Sequence, residues 1–381
     1  MDILISGASV AGPALAYWLN RDGHRTTIVE RAPDLRGGGH SVDFRGEAHM
    51  SVLRKMGILE EVKRQQTHMG AMSTVDSRGK VIADMPAELF SGEVEIQRGR
   101  LSRILYEATR KQTEYLFGDT ITSLTQDANG VAVTFEKAAT RRFDLVVGAD
   151  GLHSTVRRLV FGPEERFVTD LGVNVAVFST RNHLGLEYTG HMYTTPGQMA
   201  GLYTTDHNTG AKAMFYFPSV AYDRHDVQQQ KKIVAELYGG TGWIIDQLVA
   251  DLWDADDLYF DACAQVHMDS WSKGRVVLLG DAAWCASPLS GMGTGMAMIG
   301  AYVLAGELKR GTPERYEPVL HDYIRGCQKS GEGVARMMVP RTKLMVALQR
   351  FSYRLMPYMP GKKMIANAAK KTASAINLED Y

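Results

Sequence analysis

Hydrophobic positions at the start of the chain fall into a short run, residues 1–6, and then a turn of small residues, Gly7-Ala8-Ser9-Val10-Ala11-Gly12. Residues 13–19 read as a helix, and the β-rich run Thr26-Thr27-Ile28-Val29 ends at Glu30. Further along, residues 46–66 read as helical, with Leu53, Met56, Ile58, Leu59 and Val62 as the buried stripe. A strand is predicted over 94–98, a helix over 101–108, and strands over 130–135 and 143–149 around a charged turn. Between about 171 and 263 the texture changes. Short β-rich runs at 173–179, 190–194, 201–205 and 211–217 alternate with turn clusters, and residues 206–210 read as a hairpin connection. Residues 228–253 look helical, 274–279 form an apolar strand, and 296–308 form a helix. From 341 onward the pattern is helical and basic. Arg341, Lys343, Arg350, Arg354, Lys362, Lys363, Lys370 and Lys371 face only Glu379 and Asp380, and Met345, Leu348, Phe351, Leu355 and Met356 supply an apolar side that Pro357 and Pro360 divide.

This order predicts an α/β protein: a discontinuous Rossmann-type nucleotide domain with an inserted antiparallel-sheet domain and C-terminal helices. The boundaries read as 1–72, 92–170 and 264–312 for the nucleotide domain, 73–91 and 171–263 for the substrate domain, and 313–381 for a helical segment. With 381 residues the chain can bury a substantial core. Lys plus Arg and Asp plus Glu are both 43, so no global basic field attracts nucleic acid. Cys263, Cys285 and Cys327 show no metal-ligand spacing, and so sparse an odd set suits a reducing compartment. No metal is expected. The first residues already read as a strand, which leaves no room for a signal peptide, and no apolar run reaches the roughly 18 residues of a membrane span. A cytoplasmic monomer or weak dimer without stable membrane association is the expectation.

The chemistry lies in three stretches. Strand, glycine turn, helix, strand and acid at the N-terminus fit a dinucleotide site: small residues let backbone approach a pyrophosphate at a helix N-terminus, and the acid accepts ribose hydroxyls. Ser9 replaces the usual middle glycine, and its hydroxyl can donate to a phosphate. The second stretch is Asp144-Leu145-Val146-Val147-Gly148-Ala149-Asp150-Gly151, and the third is Gly280-Asp281-Ala282-Ala283 followed by Pro288-Leu289-Ser290-Gly291-Met292-Gly293-Thr294-Gly295. In this order the three resemble the single-component FAD-dependent monooxygenases typified by aromatic hydroxylases.

That resemblance implies roles. Gly7, Ser9, Ala11 and Gly12 would hold the FAD pyrophosphate, and Glu30, with Arg31 beside it, the adenosine ribose. Arg98 matches the family's R-x-x-L arginine, which contacts FAD. Asp150, in an Asp-Gly element continued by Ser154 and Arg157, would support FAD and shape the approach of NAD(P)H. Asp281 would bind ribitol hydroxyls. Gly291, Gly293 and Thr294 would present N–H groups to the flavin pyrimidine edge, with Pro288 beside the ring face. Trp284 stands where relatives usually carry His, and Gly295 and Met296 where many carry Asn. No second dinucleotide loop and no Cys-x-x-Cys pair are present. The implied cofactors are therefore FAD and a transient NADPH, with O2 as co-substrate, and no dedicated catalytic side chain is assigned.

Within this family, the stretch 37–46 and the run from Ser290 to Met298 leading into 301–308 resemble the tetracycline destructases, as does the helical tail, which lids the site in some members. The implied substrate is a small polycyclic phenol or enol of the tetracycline type, or another aromatic polyketide. Tyr193, Tyr203, Met214 and Tyr216 in the inserted sheet either line a broad flat pocket or pack the core. Arg45 either faces flavin or substrate or forms a solvent-exposed salt bridge; Pro288 borders both ligands. The tail is a lid, a dimer contact, a helix packed on the FAD domain or a membrane-surface helix, the last disfavoured by its two prolines. A flavin-dependent reductase or dehydrogenase on the same fold, or a binder that only sequesters its ligand, are the rival functions.

Overall fold

The computed structural model describes residues 1–35, 37, 40–87, 91–204, 210–356 and 370–381. At its centre is a six-stranded sheet in the order Ser272–Lys273, Val276–Leu278, Leu145–Gly148, Asp2–Ser6, Arg25–Glu30, Thr113–Phe117, parallel except for its first strand. Ile3, Leu4 and Ile5 are fully buried, as expected of a parallel strand covered on both faces. The helices Ala11–Arg21 and Gly293–Arg310 pack on each other beside it. Register brings the strand ends level: Ser6 pairs with both Gly148 and Val29, and Gly148 with Leu278. Three motifs far apart in the chain thus meet at one edge, outside the carboxyl ends of the strands, where open α/β sheets place their ligands.

A seven-stranded sheet stands beside this layer, in the order Tyr259–Val266, Val168–Thr180, Ala211–Pro218, Gln198–Thr204, Gly190–Thr195, Met72–Val75, Val81–Met85. It is antiparallel throughout, except that Gly190–Thr195 runs parallel to Met72–Val75. Period-two alternation gives it two different faces. Ala213, Phe215 and Phe217 join Leu248 and Leu252 under the helices Val227–Tyr238 and Ile245–Asp254. Met192, Met199, Tyr203, Met214 and Tyr216 face the other way, toward Met338 and Tyr353 of the helices Tyr316–Met338 and Lys343–Leu355. A ribbon of Ser41–Phe44 and Val94–Gln97 and a small sheet of Ile121–Asp127, Gly130–Phe135 and Arg141–Phe143 complete the β-structure.

Some elements differ from the sequence pattern. The stretch 46–66 is two helices, Gly46–Lys55 and Leu59–Arg64, because Gly57 turns the chain at φ 73°. The stretch 228–253 likewise breaks at Gly240 and Gly242, at φ 74° and 95°. Phe143 pairs with Val131 in the small sheet, so the parallel strand begins only at Leu145. Arg98 opens the helix Arg98–Thr109 rather than closing a strand. Most of the hairpin connection at 206–210 lies outside the described residues, as do Pro357, Pro360, Lys362 and Lys363. No helix among the described residues is long and apolar enough to cross a membrane.

Candidate active site

A cavity of about 410 Å³ opens at the strand ends. It is lined by Gly7, Ser9, Ala11, Glu30, Arg31, Arg98, Asp150, Asp281, Pro288, Gly291, Gly293 and Thr294, with Gly12 just beneath. At Gly7, φ is +110° and a Cβ would stand 2.4 Å from the Ala149 carbonyl oxygen; at Gly12 it would stand 2.0 Å from the Gly7 carbonyl oxygen. At these two positions the loop is pressed between strand end and helix with no space for a side chain. Glu30 fixes its orientation, accepting from the N–H of Ala8 and that of Ala32, each at 2.9 Å. Ser9 is exposed toward the cavity.

The helices Ala11–Arg21 and Gly293–Arg310 both begin at this cavity. Neither has a side-chain N-cap or an acid in its first turn. Their first N–H groups and positive dipole ends therefore remain for a ligand, which is the donor set a pyrophosphate and the carbonyls of a flavin require. Gly280, at φ 65°, sits where the helices converge: a Cβ there would lie 3.3 Å from that of Ala11 and 3.7 Å from that of Ala297. The turn aims Asp281 into the cavity, where burial raises its carboxyl pKa and the nearby Arg98 guanidinium opposes the rise. These residues fit FAD in charge, donor type and clearance.

Asp150 serves the loop first. Its oxygens accept from Ser154 Oγ at 2.5 Å and from the N–H groups of Thr155 and Val156 at 2.8 and 3.1 Å, capping the short helix Thr155–Val160. Arg157, fully buried, donates to the carbonyl of Ala282 at 2.9 Å and to that of Leu152 at 2.5 Å. It ties the second motif to the third. Trp284 points into the core against Trp271 and Tyr316, over Gly300, and is not among the residues that line the cavity.

Arg45 is buried, and its Nη2 donates to Asp43 at 2.7 Å, so the solvent-exposed alternative is corrected. Asp43 also accepts from Gly92 N–H at 3.0 Å. The pair lies beside Gly291, where an added Cβ would come within 3.6 Å of the guanidinium and 3.8 Å of the carboxylate. His49 stands behind: Nδ1 accepts from Arg45 N–H at 3.1 Å, which leaves Nε2 to donate to the Tyr323 hydroxyl at 2.8 Å. Burial pulls this imidazole down to about 4 and keeps it neutral. Gly295 packs against the ring, and any side chain there would overlap it. This accounts for glycine at this position of the chain.

Of the four sheet residues, the structure brings together three. Tyr203, Met214 and Tyr216 share the methionine-rich face. Tyr193 points the opposite way: its ring packs near Trp243 and its hydroxyl donates to the Thr241 carbonyl at 2.9 Å. It is core, by the parity of its strand. Two histidines given no role in the sequence reading also reach the cavity. His40, close to Tyr259, is held down at about 4 by burial. His153 bridges Glu164 (Nδ1 to Oε1, 2.9 Å) and Asp261 of the substrate sheet (Nε2 to Oδ1, 3.2 Å), and hydrogen bonds to these two carboxylates push it up to about 9. Its place next to Asp150-Gly151 was the available cue. Among the described residues, no three His, Cys, Asp or Glu side chains are placed to hold a metal ion.

The His153 bridge carries a pH prediction. Its folded-state pKa lies above the unfolded 6.5, so its stabilisation is complete below 6.5 and is lost as pH rises to about 9. Melting temperatures of the parent and of His153→Gln should differ most near pH 6.5 and converge by about pH 9. A gap that widens with pH would remove the cationic bridge.

The FAD-binding-domain family pattern matches residues 1–337. A flavin-dependent monooxygenase from an unknown prokaryote is 36% identical over 390 residues, covering 100% of this chain and 98% of its own. An uncharacterized protein of Mycobacterium tuberculosis is 46% identical over 315 residues, 81% of this chain and 84% of its own. Among solved structures, the tetracycline destructase Tet(55) superposes with TM-score 0.86 at 35% identity, covering 100% of this chain and 98% of its own.

Proposed function

Because the chain belongs to the FAD-binding-domain family and is a flavin-dependent monooxygenase, we propose that it uses NADPH and O2 to hydroxylate a polycyclic phenol or enol, a tetracycline-type antibiotic first among them. The observation that carries this reading is the full-length likeness to a tetracycline destructase. The sheet face of Tyr203, Met214 and Tyr216 with Met72, Met192 and Met199 suits such a ligand: thioethers and phenol rings conform to a flat ring system and keep water away from it.

Bound FAD supplies the redox chemistry, and the overall balance takes one oxygen atom of O2 into the substrate and the other into water, with NADPH giving the electron pair. This chain's residues position and polarise. The Ala11–Arg21 helix end and Ser9 would hold the pyrophosphate, Glu30 and Asp281 the ribose and ribitol hydroxyls, and Arg98 a further contact. The N–H groups of Gly293 and Thr294 at the helix start, with Arg45 behind Gly291, favour negative charge at the cavity wall. The Gly291 N–H expected beside them is already given to the Pro288 carbonyl at 3.1 Å. The apolar sheet face excludes water from the reacting centre and so limits the unproductive outcome in which NADPH and O2 give hydrogen peroxide and no oxygenated product.

The test is NADPH oxidation by FAD-loaded protein with and without tetracycline, together with the product mass. Stimulated oxidation and a gain of one oxygen atom are expected. Oxidation that tetracycline leaves unchanged, with no oxygenated product, would withdraw this substrate and point to other polycyclic phenols. Reduction of the ligand without oxygen gain would favour the reductase.

A further inference from the structure

The helix Lys343–Leu355 is seated on the substrate sheet by one side only. Val346 is its buried residue, Arg350 donates to the Thr194 carbonyl at 2.9 Å, and Tyr353 joins the methionine cluster. At about 100° per residue, Leu344, Leu348, Phe351 and Leu355 fall within a sector of about 60° on the opposite side. All four are exposed, Leu344 at 69%, Phe351 at 61% and Leu348 at 58%, and Met337 at the end of the preceding helix adds 66%. The two tail prolines do not interrupt this stripe, because the helix ends at Leu355, before Pro357. So large an apolar surface on a short helix marks an interaction face.

Charge says what covers it. From Val334 to Met356 there is no Asp or Glu, while Arg336, Arg341, Lys343, Arg350 and Arg354 are all basic, in a chain whose net charge is +0. Arg336, Arg341, Lys343 and Arg354 are exposed beside the stripe. A second copy docking here would bring the same cations face to face. An acidic protein surface would match the charge but not the apolar stripe. A surface that offers negative headgroups above hydrocarbon matches both.

We propose that this helix docks the enzyme on an anionic lipid bilayer, lying in the interface with Leu344, Leu348, Phe351 and Leu355 among the acyl chains. The opposite side of the helix covers the methionine-rich face, so, resting on the function proposed above, docking sets the surface assigned to the substrate close to the phase into which a lipophilic polycyclic molecule partitions.

The experiment is vesicle flotation of the FAD-loaded full chain with phosphatidylcholine vesicles, with and without phosphatidylglycerol. Binding about tenfold or more tighter to the anionic vesicles is expected, weakening as salt is raised. Leu348→Asp/Phe351→Asp should abolish flotation, and Arg341→Glu/Lys343→Glu/Arg354→Glu should remove the preference for phosphatidylglycerol. All these side chains are exposed, so FAD content and melting temperature serve as the check that each variant is folded. No flotation with either vesicle, or flotation that the folded variants retain, overturns the proposal. So does a dimer in sedimentation equilibrium that Leu348→Asp/Phe351→Asp dissociates, which would make a second copy the occupant.

Discussion

Gly12→Ala is expected to weaken FAD binding by about 10²-fold, read by titration of the flavin-free protein and by the flavin-to-protein ratio on purification. The added methyl would stand 2.0 Å from the Gly7 carbonyl oxygen, a backbone atom with no rotamer to escape to. Gly7 in turn is held against Ala149, and its N–H is bonded to the Val29 carbonyl at 2.8 Å. The clash must move the loop or the helix start, and either displaces the N–H groups from the pyrophosphate. Overpacking of this kind costs about 1–3 kcal/mol, and the upper end corresponds to the expected loss in affinity. Gly23→Ala is the control. Gly23 is at φ +78° with nothing within 4 Å of a new Cβ, so that change strains a turn far from the cavity and should lower the melting temperature while sparing FAD affinity. If Gly12→Ala kept the parent's affinity, the packed-loop account of the site would be wrong.

The contrast between these two glycines also shows why the cofactor site was legible in the sequence. A strand, a turn of small residues, a helix and an acid are contiguous, and each needs only local chemistry: Gly7 for its φ, Gly12 for close approach, Glu30 for acceptors. Asp281 follows a glycine that must adopt positive φ, which is a local signal too. The substrate side was less legible because it depends on register. Tyr193 and Met192 are neighbours in sequence, yet strand alternation sends one to the helices and the other to the methionine face, and apolar residues on both faces erase the pattern that would tell them apart. The His153–Asp261 contact spans 108 positions and two sheets. The breaks at Gly57 and Gly240 fall where apolar periodicity continues through the turn, so the stripe alone predicted one helix where there are two.

Arg45 poses the sharpest case, since sequence left its environment open and the structure places it in a buried ion pair with Asp43, behind Gly291 of the cavity wall. Arg45→Ala should lose about 10²–10³ in ligand-stimulated NADPH oxidation, the range for removing a preorganised donor from a charge-stabilising site. It should also cost about 3–5 kcal/mol of stability, because Asp43 is left as a buried carboxylate without its guanidinium. The two losses have different origins and separate in a double variant. Asp43→Asn/Arg45→Met removes both charges, fills similar volume and keeps an acceptor for Gly92 N–H, so much of the stability should return. Activity should not, because no positive charge remains beside Gly291. The Asp43 carboxyl is already raised by burial and held back by Arg45. In Arg45→Ala it should rise further and take up a proton as pH falls, so that variant should gain stability relative to the parent at low pH. If the double variant recovered activity along with stability, Arg45 would be a packing residue, and the polarising role would pass to the two helix ends alone.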